Sequence, residues 1–224
     1  MDSTKLEDIV HNNIINLEQW TDAINQYMPY SFGRLQLEEN QAKDLTYEVA
    51  NALHGLLDIF IQFGEFKDNW KDAGFRPYHF GIYYSMIAEK SGFNVELGMD
   101  EKGIYLQMLL NNAGNLKNMN DEFWKKFLEL EKYGSFEFVE NASPSSKELP
   151  QLFKGYKSNL YRLMRNYFIF ETQYGEVTEL GWLTVRWKGD SLDDILRNGC
   201  MAFKILYQLN YSLWKISDLR SKKK

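Results

Sequence analysis

Residues 93–112 read FNVELGMDEKGIYLQMLLNN, and residues 120–138 read NDEFWKKFLELEKYGSFEF. Phe93, Val95 and Leu97 alternate with Asn94, Glu96 and Gly98, the period of a half-buried strand. Asp100-Glu101-Lys102-Gly103 makes a short hairpin loop with glycine where the backbone turns to positive φ. Ile104, Leu106, Met108 and Leu110 then form the inner face of the returning strand. After a polar link, Asn120 is an N-cap, with Asp121 and Glu122 in the first turn, where they suit the helix dipole. Phe123, Trp124, Phe127 and Leu128 make the buried face of that helix, Gly134 ends it, and Phe136 and Phe138 resume a strand. A hairpin, a helix and a return strand in this order point to an α+β fold.

Working outward towards the N-terminus, Leu6, Ile9, Val10, Ile14, Leu17, Ile24 and Met28 recur at helical spacing, which predicts one helix over 3–28. Pro29 and Gly33 predict a turn. Leu45, Val49, Leu53, Leu56, Leu57, Phe60 and Phe63 predict a second helix over 36–64, stopped by Gly64. The polar stretch 63–80, with glycine and proline, reads as a loop. Phe80, Ile82, Tyr84 and Met86 fit a strand, while Phe80, Tyr83, Tyr84 and Ile87 fit a helix. The strand is preferred because the neighbouring hairpin needs a third partner.

On the C-terminal side, ENASPSSKELP (140–150) is a loop rich in serine and proline. Tyr156, Leu160, Leu163 and Met164 predict a short helix. YFIFETQ (167–173) and WLTVRWK (182–188) read as an antiparallel pair. Ser191 with Asp194 resembles a capping box, opening a helix from Leu192 that ends near Ser217. The chain is therefore expected to be a single α+β domain, 1–224, with an antiparallel sheet of about five or six strands packed against helices. It has an N-terminal helical pair (1–65), a sheet–helix core (78–216) that includes a long C-terminal helix, and a basic tail (217–224).

A chain of 224 residues with 44% hydrophobic and 25% charged residues can bury a sizeable core. Its 16% aromatic content is high, which fits a phenylalanine-rich core or an aromatic interface. The net charge of −5 argues against coating nucleic acid over the whole surface. A single cysteine, Cys200, excludes an internal disulfide and a multi-cysteine zinc site. The first residues lack a basic region followed by an apolar one, and no stretch approaches the ~18 apolar residues that span a bilayer. A cytoplasmic protein with no membrane partner is the expectation.

Catalytic motifs are missing. His11, His54 and His79 are far apart and outside any HxH or HExxH arrangement, so no metal is expected. Cys200 lies among helical apolar residues and reads as a buried thiol. No P-loop, GxGxxG or GxSxG occurs, so no cofactor is expected. A restriction-type nuclease needs an acid followed by Glu-x-Lys, so that two carboxylates hold Mg²⁺ beside a lysine. Asp58 with Glu65-Phe66-Lys67 matches those letters at a helix end, and Asp100-Glu101-Lys102 matches them partly at a hairpin tip. Glu96 and Glu171, both read as strand acids, could each face a cleft or solvent. The one local excess of positive charge is Lys154, Lys157, Tyr161, Arg162 and Arg165, with Arg186 and Lys188 from a strand. Basic groups interleaved with an aromatic suit a phosphate backbone with stacking, and a solvated helix face is the plainer alternative.

The order of elements over roughly 78–215, with FNVELGMDEKGIYLQMLL, NDEFWKKFLELEKYGSFEF, a strand pair and a closing helix, resembles an accessory domain of bacterial restriction and defence-type proteins. In those proteins the domain often follows a restriction-like nuclease domain, whereas here two helices stand upstream. The resemblance implies association with phage defence or DNA processing and carries no catalytic residue over. The sequence thus favours a non-catalytic binding module for a protein or nucleic-acid partner. A divergent Mg²⁺-dependent nuclease would need at least two of Asp58, Glu65, Glu96, Asp100 and Glu171 to converge. A homodimer would place the aromatic surplus in an apolar interface.

Overall fold

The alternating apolar residues of the strands all fall on one face of one sheet. In a computed structural model, which describes residues 2–140, 158–175 and 177–222, the chain runs α1 (Asp2–Asn12), α2 (Ile14–Ser31), α3 (Glu39–Gly64), β1 (Trp70–Tyr78), β2 (Gly81–Ala88), β3 (Phe93–Asp100) and β4 (Gly103–Asn111). A 3₁₀ segment (Ala113–Asn118), α4 (Asp121–Glu129), a 3₁₀ turn (Leu130–Lys132), β5 (Ser135–Glu140), α5 (Asn159–Tyr174), β6 (Glu179–Trp187) and α6 (Leu192–Ser221) follow. The six strands pair antiparallel in the order β1-β2-β3-β4-β6-β5. The expected α+β sheet with N-terminal helices and a long C-terminal helix is present.

Ile82, Phe93, Val95, Leu97, Leu106, Met108, Leu183, Val185 and Phe138 are sealed on the inner face. Beneath them, α3 packs on β2 and β3, and α6 packs on β3, β4 and β6. One apolar cluster runs continuously from Val10 in α1 to Leu213 in α6. Two helix crossings are close because a glycine faces an aromatic ring: Gly55 of α3 takes Trp20 of α2, and Gly199 of α6 takes Phe60 of α3. A Cβ at either glycine would overlap the ring.

The caps act as the sequence leads one to expect. The Asn120 side chain accepts from the Phe123 amide at 3.1 Å, and Ser191 Oγ accepts from the Asp194 amide at 3.2 Å. The residues 101–102 join β3 to β4, and Gly103 has φ +113°.

Several expectations are corrected. Residues 3–28 form two helices, because the chain breaks at Asn13, whose side-chain amide turns back to the Ile9 carbonyl at 2.9 Å. Residues 70–78, expected in a loop, are the edge strand β1; a bulge between Asp72 and Gly74 and the presence of Pro77 break its alternation. Residues 167–173, expected as a strand, lie within α5, so β6 pairs instead with β4 and β5. Helix α6 continues past Ser217 to Ser221. Leu128, expected on the buried face of α4, is exposed, and Pro29, expected in a turn, lies in the last turn of α2, with Gly33 just beyond it. The expected loop at 140–150 lies, beyond Glu140, outside the described residues.

Both edges of the sheet are blunted. On β1 the bulge and Pro77 interrupt the row of free backbone groups. On β5 the Asn159 side chain of α5 replaces a neighbouring strand: its Oδ1 accepts from the Phe138 amide at 3.0 Å, and its Nδ2 donates to the Phe136 carbonyl at 2.8 Å.

Candidate docking face

The side chains that alternate with the core residues point away from the helices and build the opposite face. The strand register lines up Arg76 (β1), Tyr83 (β2), Gly98 (β3), Tyr105 (β4), Arg186 (β6) and Ser135 (β5) in one cross-strand row. Ser85, Glu96, Gln107, Thr184 and Glu137 form the next row. Beyond it stand Ile87, Leu109, Trp182 and Val139. Tyr78, Tyr83, Ile87, Leu109, Trp182 and Val139 do not belong to the core packed beneath the sheet.

Glycine lets rings lie flat on this face. A Cβ at Gly98 would fall 2.5 Å from the Tyr105 ring and 2.8 Å from Tyr83 Cβ. Only a residue without a side chain leaves room for Tyr105 there. The Tyr105 and Tyr78 hydroxyls meet at 3.2 Å, and the Arg186 guanidinium lies over the Tyr105 ring at 5.0 Å. Arg186 is also bonded to Asp100 Oδ1 at 2.5 Å and to the Gly103 carbonyl at 3.3 Å. Burial pushes the Tyr78 phenol up and the Tyr105 phenol far up, so both are neutral hydroxyls at physiological pH.

The second row is a hydrogen-bonded chain. Gln107 Nε2 donates to Glu96 Oε2 at 2.6 Å, and Thr184 Oγ1 donates to Gln107 Oε1 at 3.3 Å. Burial raises the Glu96 carboxyl above its ordinary range, although the Gln107 bond and the Arg76 charge pull it down. A carboxyl raised in the folded state stabilises the fold fully below its unfolded pKa, and that contribution is lost as pH rises through the folded value. Glu96→Gln should therefore leave the melting temperature nearly unchanged at pH 4 and raise it at pH 7.5. Thermal unfolding of both proteins at the two pH values checks this. An equal shift at both, or a loss at pH 7.5, would contradict it.

The basic patch is distributed differently from its sequence spacing. Lys154 and Lys157 lie outside the described residues. Tyr161, Arg162 and Arg165 are on α5, and the arginines turn to the edge strand. Arg162 reaches Glu137 at 3.2 Å and Glu140 at 3.8 Å, and Arg165 reaches Glu140 at 2.7 Å. Arg186 is held by Asp100 on the sheet face, and Lys188 is exposed just past β6. Each of the described arginines of this set thus has a carboxylate partner, which lowers the net positive field.

The carboxylates considered for a nuclease are also dispersed. Asp58 is on α3 beside His54 at 3.5 Å, and Glu65 caps α3 and meets Lys5 at 2.5 Å. Glu96 and Asp100 share the open face but stand four residues apart along β3, roughly 13 Å by strand rise. Glu171, expected on a strand, is on helix α5. Among the described residues no three His, Cys, Asp or Glu side chains group as a metal set. Cys200 is buried, and burial pushes its thiol up to about 12. Among the described residues no helix is long and apolar enough to cross a membrane.

Sequence reasoning singled out Glu96 and Arg186 but not Tyr78, Tyr83, Tyr105 or Gln107. The signal was the opposite parity of the same strands: in β4, Tyr105 and Gln107 alternate with core residues Ile104, Leu106 and Met108. No family model matches the chain, and neither does any curated protein or solved structure.

Proposed function

We propose that the protein is a non-catalytic binding module whose open sheet face holds a protein partner of mixed apolar and polar surface. The observation that carries this is the composition of that face: Tyr78, Tyr83, Trp182, Arg76 and Arg186 on a rigid sheet, supported by the buried Tyr105 ring. Tyrosine, tryptophan and arginine dominate the energetics of protein interfaces, and a rigid scaffold lowers the ordering cost of binding.

The charge balance favours protein over nucleic acid. Asp100 answers Arg186, Arg162 answers Glu137, and the remaining Arg76 and Glu96 have opposite signs. A nearly neutral face offers a phosphate backbone little attraction. The blunted edges favour the face over strand addition as the mode of contact. A six-stranded face of roughly 25 by 20 Å covers on the order of 500 Å². That is below the ~800 Å² per partner of a standard stable interface. The complex is accordingly a dissociable one rather than an obligate homodimer. A phage-defence setting is proposed only on the part of the resemblance whose elements form, the β3–β4 hairpin, α4, β5 and the closing helix, since the strand pair it also drew on is replaced by α5 and β6.

A photo-crosslinking residue in place of Tyr83, with the same residue in place of Leu128 on α4 as control, tests this in cells. The expected result is a discrete, protease-sensitive adduct from position 83 that is absent from position 128. An adduct of twice the chain mass, a nuclease-sensitive adduct, or none from position 83 would overturn it.

A further inference from the structure

The 3₁₀ segment after β4, the C-terminal end of α5 and the last turns of α6 enclose a cavity of about 300 Å³ on another part of the molecule. Asn112, Lys117, Tyr167, Glu171, Ser217 and Arg220 contribute to its wall. The frame is fixed by buried amides. Asn115, 4% exposed, donates to the Leu213 carbonyl at 2.9 Å and to Ser217 Oγ at 2.8 Å. Ser217 Oγ donates to Asn112 Oδ1 at 3.1 Å, and Asn112 itself has φ +55°. These bonds tie the end of α6 to the 3₁₀ segment.

Donors outnumber acceptors in this wall. Arg220 donates through Nη1 to Asn115 Oδ1 at 3.1 Å, which uses one of the five N–H groups of its guanidinium. Lys117 meets Glu171 at 2.7 Å. Tyr167 is 1% exposed, and its hydroxyl points at the Glu171–Lys117 pair without a close, well-directed hydrogen bond to either. That hydroxyl lies near Glu171 and Lys117; burial first, then Glu171, pushes its pKa up, so it is a neutral donor. Among the described residues two cations face one carboxylate, and the buried hydroxyl is left short of a good acceptor.

The geometry points to a binding site for a phosphate group, free or carried by a small molecule, held between Lys117 and Arg220 with the Tyr167 hydroxyl as a further donor. Phosphate supplies the charge that the two cations lack and accepts from several donors at once, and a planar guanidinium matches its oxygens in pairs. The site is independent of the sheet face. The Lys117–Glu171 contact is exposed, so the lysine can turn from the carboxylate to a ligand at little cost.

Calorimetric titration of the full-length protein with inorganic phosphate and with glycerol phosphate, against chloride at equal ionic strength, tests the site. The expected result is saturable binding of at least one phosphate, weakened tenfold or more in both Arg220→Gln and Lys117→Gln and about threefold in Tyr167→Phe. Stronger binding of glycerol phosphate would place the group on a small organic molecule, and equal binding would identify free phosphate. No saturable heat from either phosphate, or the same affinity in both cation variants with unchanged far-UV circular dichroism, would overturn the proposal.

Discussion

Replacing Phe203 with alanine is expected to cost about 3–5 kcal/mol of stability, the usual loss for a large aromatic removed from a sealed core. Phe203 is fully buried on α6. Its ring centroid lies 5.9 Å from Phe60 of α3, 5.7 Å from Phe66, 5.7 Å from Trp70 of β1 and 5.5 Å from Phe93 of β3. No neighbour can fill the space without leaving its own contacts, because Phe60 is also pressed against Gly199. For a chain of this length the loss lowers the melting temperature by roughly 10 °C. Phe203→Leu should recover about half of it. Calorimetric unfolding of the two variants decides the matter, and an alanine variant within 2–3 °C of the parent would show that this cluster is not the hinge of the core.

Asn159→Ala is expected to cost about 2–4 kcal/mol, since it strips partners from two buried backbone groups of β5 at once. The Phe138 amide and the Phe136 carbonyl would then lie under α5 with neither a side chain nor a strand to pair with. The damage should be local first. Amide exchange at Phe138 should accelerate far more than at Val95 in the middle of the sheet. A freed β5 edge should also raise the tendency to aggregate. Uniform acceleration along the sheet would mean that α5 stabilises the whole core rather than guarding this edge.

How far the fold was legible follows from where each element sits. The β3–β4 hairpin could be read because both strands alternate cleanly and Gly103 marks the turn. β1 could not, because an edge strand with a bulge buries few side chains and so keeps no period. The first half of helix α5 could be read from Leu160, Leu163 and Met164, but its extent was disguised twice. Tyr167, Phe168, Ile169 and Phe170 have strong strand propensity, and two of its four fully buried positions, Asn159 and Asn166, are polar. Their helical spacing is visible only once β5 is known to need Asn159.

The candidate surface was less legible still. The parity of Tyr105, Gln107 and Glu96 is in the sequence, but which face the helices cover is a tertiary property. The pairing of Arg162 and Arg165 with Glu137 and Glu140 is likewise a contact across the β5 edge, more than twenty residues away in the chain. Local charge counting cannot register it.

The most direct test of the open face as a docking surface is thiol labelling of Tyr83→Cys in the purified protein and in intact cells, with Leu128→Cys as control. Cys200 is buried and stays silent in both. The account predicts that position 83 labels readily in the purified protein and is shielded in cells, while position 128, 47% exposed, labels alike in both. Equal labelling of position 83 in the two settings, or no labelling even when purified, would contradict it.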